Sequence, residues 1–188
     1  NSLLDYARPE TSEFKRFLIQ DAVRKTVHLI EGRCHTQNVH LNVIAPDEPA
    51  MIDGDAAQIQ QLLLNLALNA LDAMPDGGKL DFSVSRGEKT IVVSVSDKGT
   101  GIDESILDKL FTPFVTTKAN GVGLGLGICR RIAEAHGGKL VGINLASGGA
   151  KFQLTLPSSP ASDSAGIATN CDSDSQRLNV LTTSATEQ

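Results

Sequence analysis

The stretch DAAQIQQLLLNLALNALDAM, residues 55–74, decides the fold. Asp55 has the side chain of a helix N-cap, Gln58 follows at capping-box spacing, and Pro75-Asp76-Gly77-Gly78 ends the helix. At roughly 100° per residue, Gln58, Gln61, Asn65, Asn69 and Asp72 fall in a stripe about 80° wide. Leu, Ile, Ala and Met fill nearly all the rest. Burying an amide without a partner costs about 1–3 kcal/mol. The stripe therefore faces water, or a polar guest such as a ligand, a metal or a second loop.

Working outward, Leu80, Phe82 and Val84 alternate, residues 86–89 turn, and Ile91, Val93 and Val95 alternate again, which predicts a hairpin. The next helix is expected over 124–136, ended by Gly137-Gly138, and a second hairpin over 140–143 and 151–156. Before the central helix, residues 20–35 repeat apolar side chains at helical spacing, Val39, Leu41 and Val43 alternate as a strand, and Met51-Ile52 is expected as a short one. Together these elements predict an α+β two-layer sandwich, with a mixed, mainly antiparallel sheet covered by helices on one face.

Three stretches carry chemistry. Asp97-Lys98-Gly99-Thr100-Gly101 puts a carboxylate at a strand end, able to accept from an exocyclic amine while glycine backbone passes close to a ring; it is also a common turn pattern. Gly121-Val122-Gly123-Leu124-Gly125-Leu126-Gly127 opens a helix whose N-terminus favours an anion such as a nucleotide phosphate; the bland reading is a glycine hinge. Its spacing meets neither the Rossmann nor the Walker pattern. Asn69 offers Mg²⁺ an oxygen ligand, and Asn65 lies one turn earlier.

In this order, N-x-x-x-N, D-x-G-x-G, FTPFVTTK and GVGLGLG resemble the N box, first glycine box, F box and second glycine box of the catalytic domain of sensor histidine kinases. Residues 148–152 resemble the last glycine box, with Ala150 where Thr is common. NALDAMPDGG and EAHGG are closest in wording to the nitrogen-regulation and oxygen-sensing branches. The resemblance covers about residues 53–157. It implies a Bergerat fold of the GHKL superfamily that binds ATP and Mg²⁺. By position, Asn69 would hold the metal, Asn65 would assist at the phosphates, and Asp97 would take the adenine amino group. Asp72, Gly99, Gly101, Ile102, Gly121, Val122, Gly123, Leu124 and Gly125 would line the nucleotide. Residues 98–120 would form a lid, with Phe111 and Phe114 as apolar anchors and Lys118 as a phosphate contact. Asn65 and Lys118 are the candidates for a catalytic role.

The family's phosphoacceptor histidine lies in a motif that surrounds none of His28, His35, His40 and His136; His136 reads as a helix-end residue stabilised by the dipole. The expected partners are therefore a histidine-bearing dimerisation domain of the parent kinase and a downstream response-regulator receiver domain. Residues 1–12 read as the end of that dimerisation region and its linker, 13–157 as the catalytic domain, and 158–188, roughly a third Ser or Thr, as a disordered tail. The rival of the same fold is an ATP hydrolase, which carries a Glu base where this chain has Asn65; a binding module without chemistry is the other. A net charge of −5 argues against nucleic acid and anionic membrane. No run approaches a membrane span, and three scattered cysteines suit a cytoplasmic home, with a parent protein that could still be membrane-associated.

Overall fold

A computed structural model of the chain describes residues 14–115 and 123–159. The central helix, numbered α2 below, spans Ala56–Asp72, and Asp55 caps it. Asp55 Oδ1 accepts from the N–H groups of Ala57 at 2.9 Å and Gln58 at 3.2 Å, satisfying two of the helix's orphan donors. Ile59, Leu62, Leu63, Leu66, Ala67, Ala70 and Leu71 are buried along it. Each large apolar side chain removed from water in this way stabilises by about 1.5–3 kcal/mol.

In chain order the other elements are β1 (Lys15–Leu18), α1 (Ile19–Thr36), β2 (Val39–Ile44), β3 (Met51–Gly54), β4 (Gly78–Arg86), β5 (Thr90–Asp97), α3 (Gly125–Ala135), β6 (Lys139–Asn144) and β7 (Ala150–Pro157). A five-stranded sheet runs β2-β4-β5-β7-β6, with β1 and β3 paired in a small second sheet. Only β2 and β4 run parallel within the larger sheet, because β3 and α2 form a crossover between them. Alternation puts Leu80, Phe82, Val84, Ile91, Val93, Val95, Phe152, Leu154 and Leu156 on one face, where they join the buried side of all three helices in a single core. The opposite face mixes Ser83, Ser85, Ser94, Ser96, Gln153 and Thr155 with Ile44, Val92, Val141 and Ile143. Two layers result, as the alternation required.

Both expected hairpins form, and the helix expected over 20–35 is one residue longer at each end. β1 was not anticipated. Four residues running straight into a helix offer too short a pattern, and the partner strand lies far away in sequence. A 3-10 helix over Glu104–Lys109, capped by Asp103, also went unseen within the long segment after Gly101. Ser158 and Ser159, assigned to the tail from sequence, bond the domain: their N–H groups donate to Lys89 O at 3.0 Å and Met51 O at 2.9 Å.

His136 caps the C-terminus of α3, as its position predicts, and hydrogen bonds at both ring nitrogens hold it there. The ring is 5% exposed. Its Nδ1 donates to Ile132 O at 2.8 Å, and its Nε2 accepts the Asp55 N–H at 3.0 Å, which fits the tautomer with the proton on Nδ1. Phe14 stacks on it at 4.9 Å, and Gly54 passes beneath so closely that a Cβ would overlap the imidazole. The end of α3 thus fixes the start of α2. Replacing His136 by Ala is expected to cost about 2–4 kcal/mol in urea unfolding. A loss below about 0.5 kcal/mol would show that this contact does not hold the two helices together.

Candidate functional site

Asp97 continues the core-facing row of β5 beyond Ile91, Val93 and Val95, so a carboxylate sits where the pattern asks for an apolar side chain. It is 3% exposed. Its Oδ1 accepts two backbone bonds, from Gly99 N–H at 2.8 Å and Ala150 N–H at 3.2 Å. Its Oδ2 accepts none among the described residues, yet it is not sealed from solvent. Burial pushes the carboxyl pKa up, and the two backbone bonds pull it back only in part. One oxygen is committed to the fold, and the other is an acceptor open to an outside donor.

The loop after Asp97 is held from both sides. On the α2 side, Thr100 N–H donates to Ala73 O at 3.3 Å. A Cβ on Gly99 would stand 2.5 Å from that same carbonyl oxygen, so only glycine lets the loop lie against the helix end. On the other side lies the turn between β6 and β7. Lys98 Nζ donates to Ser147 Oγ at 2.6 Å, and the Asn144 side chain bonds the backbone of Ile102. Gly149, at φ +83°, packs on Asp97 itself, where a Cβ would overlap the Asp97 carbonyl. Gly101 lies beside Asn144, and Ile102 is half-buried against the core.

The amide stripe of α2 is only partly withdrawn from water: Asn65 and Asn69 are half-buried, and Gln61 and Asp72 are exposed. Asn65 shares a hydrogen bond with the Cys129 thiol of α3, which also donates to Leu62 O at 3.7 Å. Burial pushes that thiol up to about 12, so it stays protonated and offers a metal no thiolate. Asp72, expected among the nucleotide contacts, is ion-paired with Arg33 of α1. The Leu124 side chain does not cap the first turn of α3, and among the described residues nothing crowds Gly125. Gly123 O accepts the Phe114 N–H at 3.0 Å, and Gly123 thereby joins α3 to the FTPF segment. Phe111 packs on the core, whereas Phe114 is 74% exposed. Lys118, Gly121 and Val122 lie outside the described residues.

The described residues thus supply a buried carboxylate with one oxygen open, a glycine loop laid against a helix end, and a helix start without a side-chain cap. The family described as histidine kinase-, DNA gyrase B- and HSP90-like ATPase matches residues 54–160. The catalytic domain of the histidine kinase ThkA, in a nucleotide-free form, superposes with TM-score 0.73 and 33% identity, over 79% of this chain and 99% of that one. The chain belongs to this ATPase family, as a sensor-histidine-kinase catalytic domain. ThkA bound to the response regulator TrrA matches with TM-score 0.72 and 31% identity, over 84% of this chain and 46% of that one. The sensor histidine kinase TmoS of Ectopseudomonas mendocina is 41% identical over 141 residues, which is 72% of this chain. The chain spans 14% of TmoS in length, and at most 37% of several similar curated kinases.

In this histidine-kinase domain, Asp97, Gly99, Gly101 and Ile102 come together in one loop, while Asn65 and Asn69 share one helix face. Sequence reading missed Ala73, Asn144 and Ser147, and it named Ala150 only within the last glycine box, without its bond to Asp97. These contacts have no local signature, because each acts on a loop distant in the chain.

The Asp97 carboxyl has a pH consequence. Its folded pKa lies above the unfolded value, so the folded state holds the extra proton in between, and stability falls as pH rises through that window. Above the folded pKa the cost is constant. Asp97→Asn is therefore expected to be more stable than the parent domain at pH 7, with the gain shrinking towards pH 3, in chemical unfolding. A variant less stable at pH 7 would contradict this.

Proposed function

We propose that this domain binds Mg²⁺-ATP and transfers the γ-phosphoryl group to a histidine on the dimerisation domain of its parent kinase. The observation that carries the reading is the open Oδ2 of buried Asp97, an acceptor matched to the amino group of adenine. Guanine presents an oxygen at that position and would meet the carboxylate as a repulsion. The start of α3, which no described side chain caps, suits the phosphates, since N–H groups and the helix dipole both favour negative charge there.

The donor set also suits magnesium. Among the described residues no group of three His, Cys, Asp or Glu is placed to hold a metal. The Asn69 side-chain oxygen, with Asn65 beside it, is a hard donor of the kind Mg²⁺ takes when phosphate oxygens and water complete its shell. When bound, Mg²⁺ neutralises charge on the phosphates and aligns the γ-phosphoryl group. Asn65 is an amide and cannot take a proton from water, so it gives no support to hydrolysis. Phosphoryl groups then pass to a response-regulator receiver domain, a step that the structure of ThkA with TrrA supports by likeness. The cytoplasm is the compartment that suits two buried free cysteines, Cys34 and Cys129. No described helix is long and apolar enough to cross a membrane.

The test supplies the chain with γ-labelled ATP, Mg²⁺ and the separately produced dimerisation domain. Label on that domain's histidine with little free phosphate is the expected result. Asn69→Ala should lower transfer at least about 100-fold and remove the dependence of ATP affinity on Mg²⁺. Rapid phosphate release without transfer would replace the kinase reading by a hydrolase, and ATP binding with neither product would leave a nucleotide-sensing module.

A further inference from the structure

The turn between β6 and β7 carries a residue that nucleotide binding, as described so far, does not use. Asn144, the last residue of β6, accepts the Ile102 N–H on Oδ1 at 2.7 Å and donates from Nδ2 to the Ile102 carbonyl at 2.8 Å. A side-chain amide thereby pairs with both backbone groups of one residue, as a neighbouring strand would. Ile102 closes the loop that leaves Asp97, and Gly99 and Gly101 within it give the backbone wide conformational freedom.

The same turn grips this loop at two further points. Ala150 N–H holds Asp97 Oδ1 at the near end, and Ser147 accepts from the exposed Lys98 ammonium. The lysine bond exchanges readily with water and fixes little. At the far end, Asn144 bonds Ile102 twice in a fixed geometry, and Gly101 lies beside its amide oxygen. Asn144 itself is exposed, so these bonds add little to the core. Their consequence is local. They decide how closely the backbone from 97 to 102 is set before a base arrives.

We infer that Asn144 is a positioning residue for base recognition: it sets the loop from Asp97 to Ile102 so that the Asp97 carboxylate meets the adenine amino group with no rearrangement. The inference rests on the reading of Asp97 as the base-recognising group. A preset loop leaves less ordering to be done on binding, and the benefit falls on the base alone, since Asn144 bonds neither α2 nor the start of α3.

The experiment compares the affinities of ATP and inosine triphosphate, in which a keto oxygen replaces the amino group, for the full chain and two variants. Asn144→Ala is expected to weaken ATP about tenfold and inosine triphosphate less than about twofold, so that the preference for ATP shrinks. Asn144→Asp keeps the acceptor for the Ile102 N–H but sets a carboxylate against the Ile102 carbonyl, and should lose at least as much preference. Its exposed site keeps the test open if the alanine variant does not fold. Equal losses for both nucleotides, or an unchanged preference in a folded variant, would overturn the positioning role while leaving the ATP reading intact. A parent domain that does not prefer ATP would remove the Asp97 reading and this inference together.

Discussion

The two hydrogen bonds that converge on Asp97 Oδ1 are the constraint from which the site follows. A carboxylate at the end of β5, withdrawn from water, is tolerable only because Gly99 and Ala150 N–H groups replace part of its hydration. Those bonds require the chain to turn sharply after Asp97 and require β7 to begin beside it. The close approach of Gly149 to the Asp97 carbonyl, and of Gly99 to Ala73, are the steric conditions for that geometry. What remains is one oxygen with no partner among the described residues. The raised pKa records the same cost, a burial that the backbone only partly offsets.

α2 carries the other half of the site, and its placement is set at both ends. At its start, Asp55 caps the helix while His136 accepts the Asp55 backbone N–H. At its end, the Ala73 carbonyl receives Thr100, and Asp72 pairs with Arg33. The helix therefore cannot slide relative to α3 or to the Asp97 loop without breaking bonds at one end or the other. Its half-buried amides, Asn65 and Asn69, are presented by this fixed frame, and Asn65 also bonds the Cys129 thiol of α3. Exchanging a carboxylate for an amide at Asn65 is what separates transfer from hydrolysis in the proposed chemistry.

Much of this was legible in the sequence because it depends on local order. The Asp55 cap, the stop at Pro75, the alternation of β4, β5 and β7, and the spacing of Asp97, Gly99 and Gly101 are all written within a few residues. What could not be read depends on distant partners. β1 exists because β3 is there to pair with it, and the parallel pairing of β2 with β4 has no signature in either strand. Asp72 fits the polar stripe of the helical wheel, yet Arg33, on another helix, claims it. Asn144 is an unremarked residue before a turn, and its meaning comes from Ile102, 42 residues earlier. The position of His136 in the sequence predicts a helix end, but its bond to Asp55 spans 81 residues and no pattern announces it.

If Asp97 reads the base through its open oxygen, a titration of the parent domain and Asp97→Asn with ATP and with inosine triphosphate reveals it. The parent domain is predicted to favour ATP by at least about tenfold, because its acceptor meets an amino group in one and an oxygen in the other. In Asp97→Asn an amide donor faces the base, and the preference is predicted to vanish or reverse. An Asp97→Asn domain that folds and keeps the full preference for ATP would show that Asp97 does not read the base.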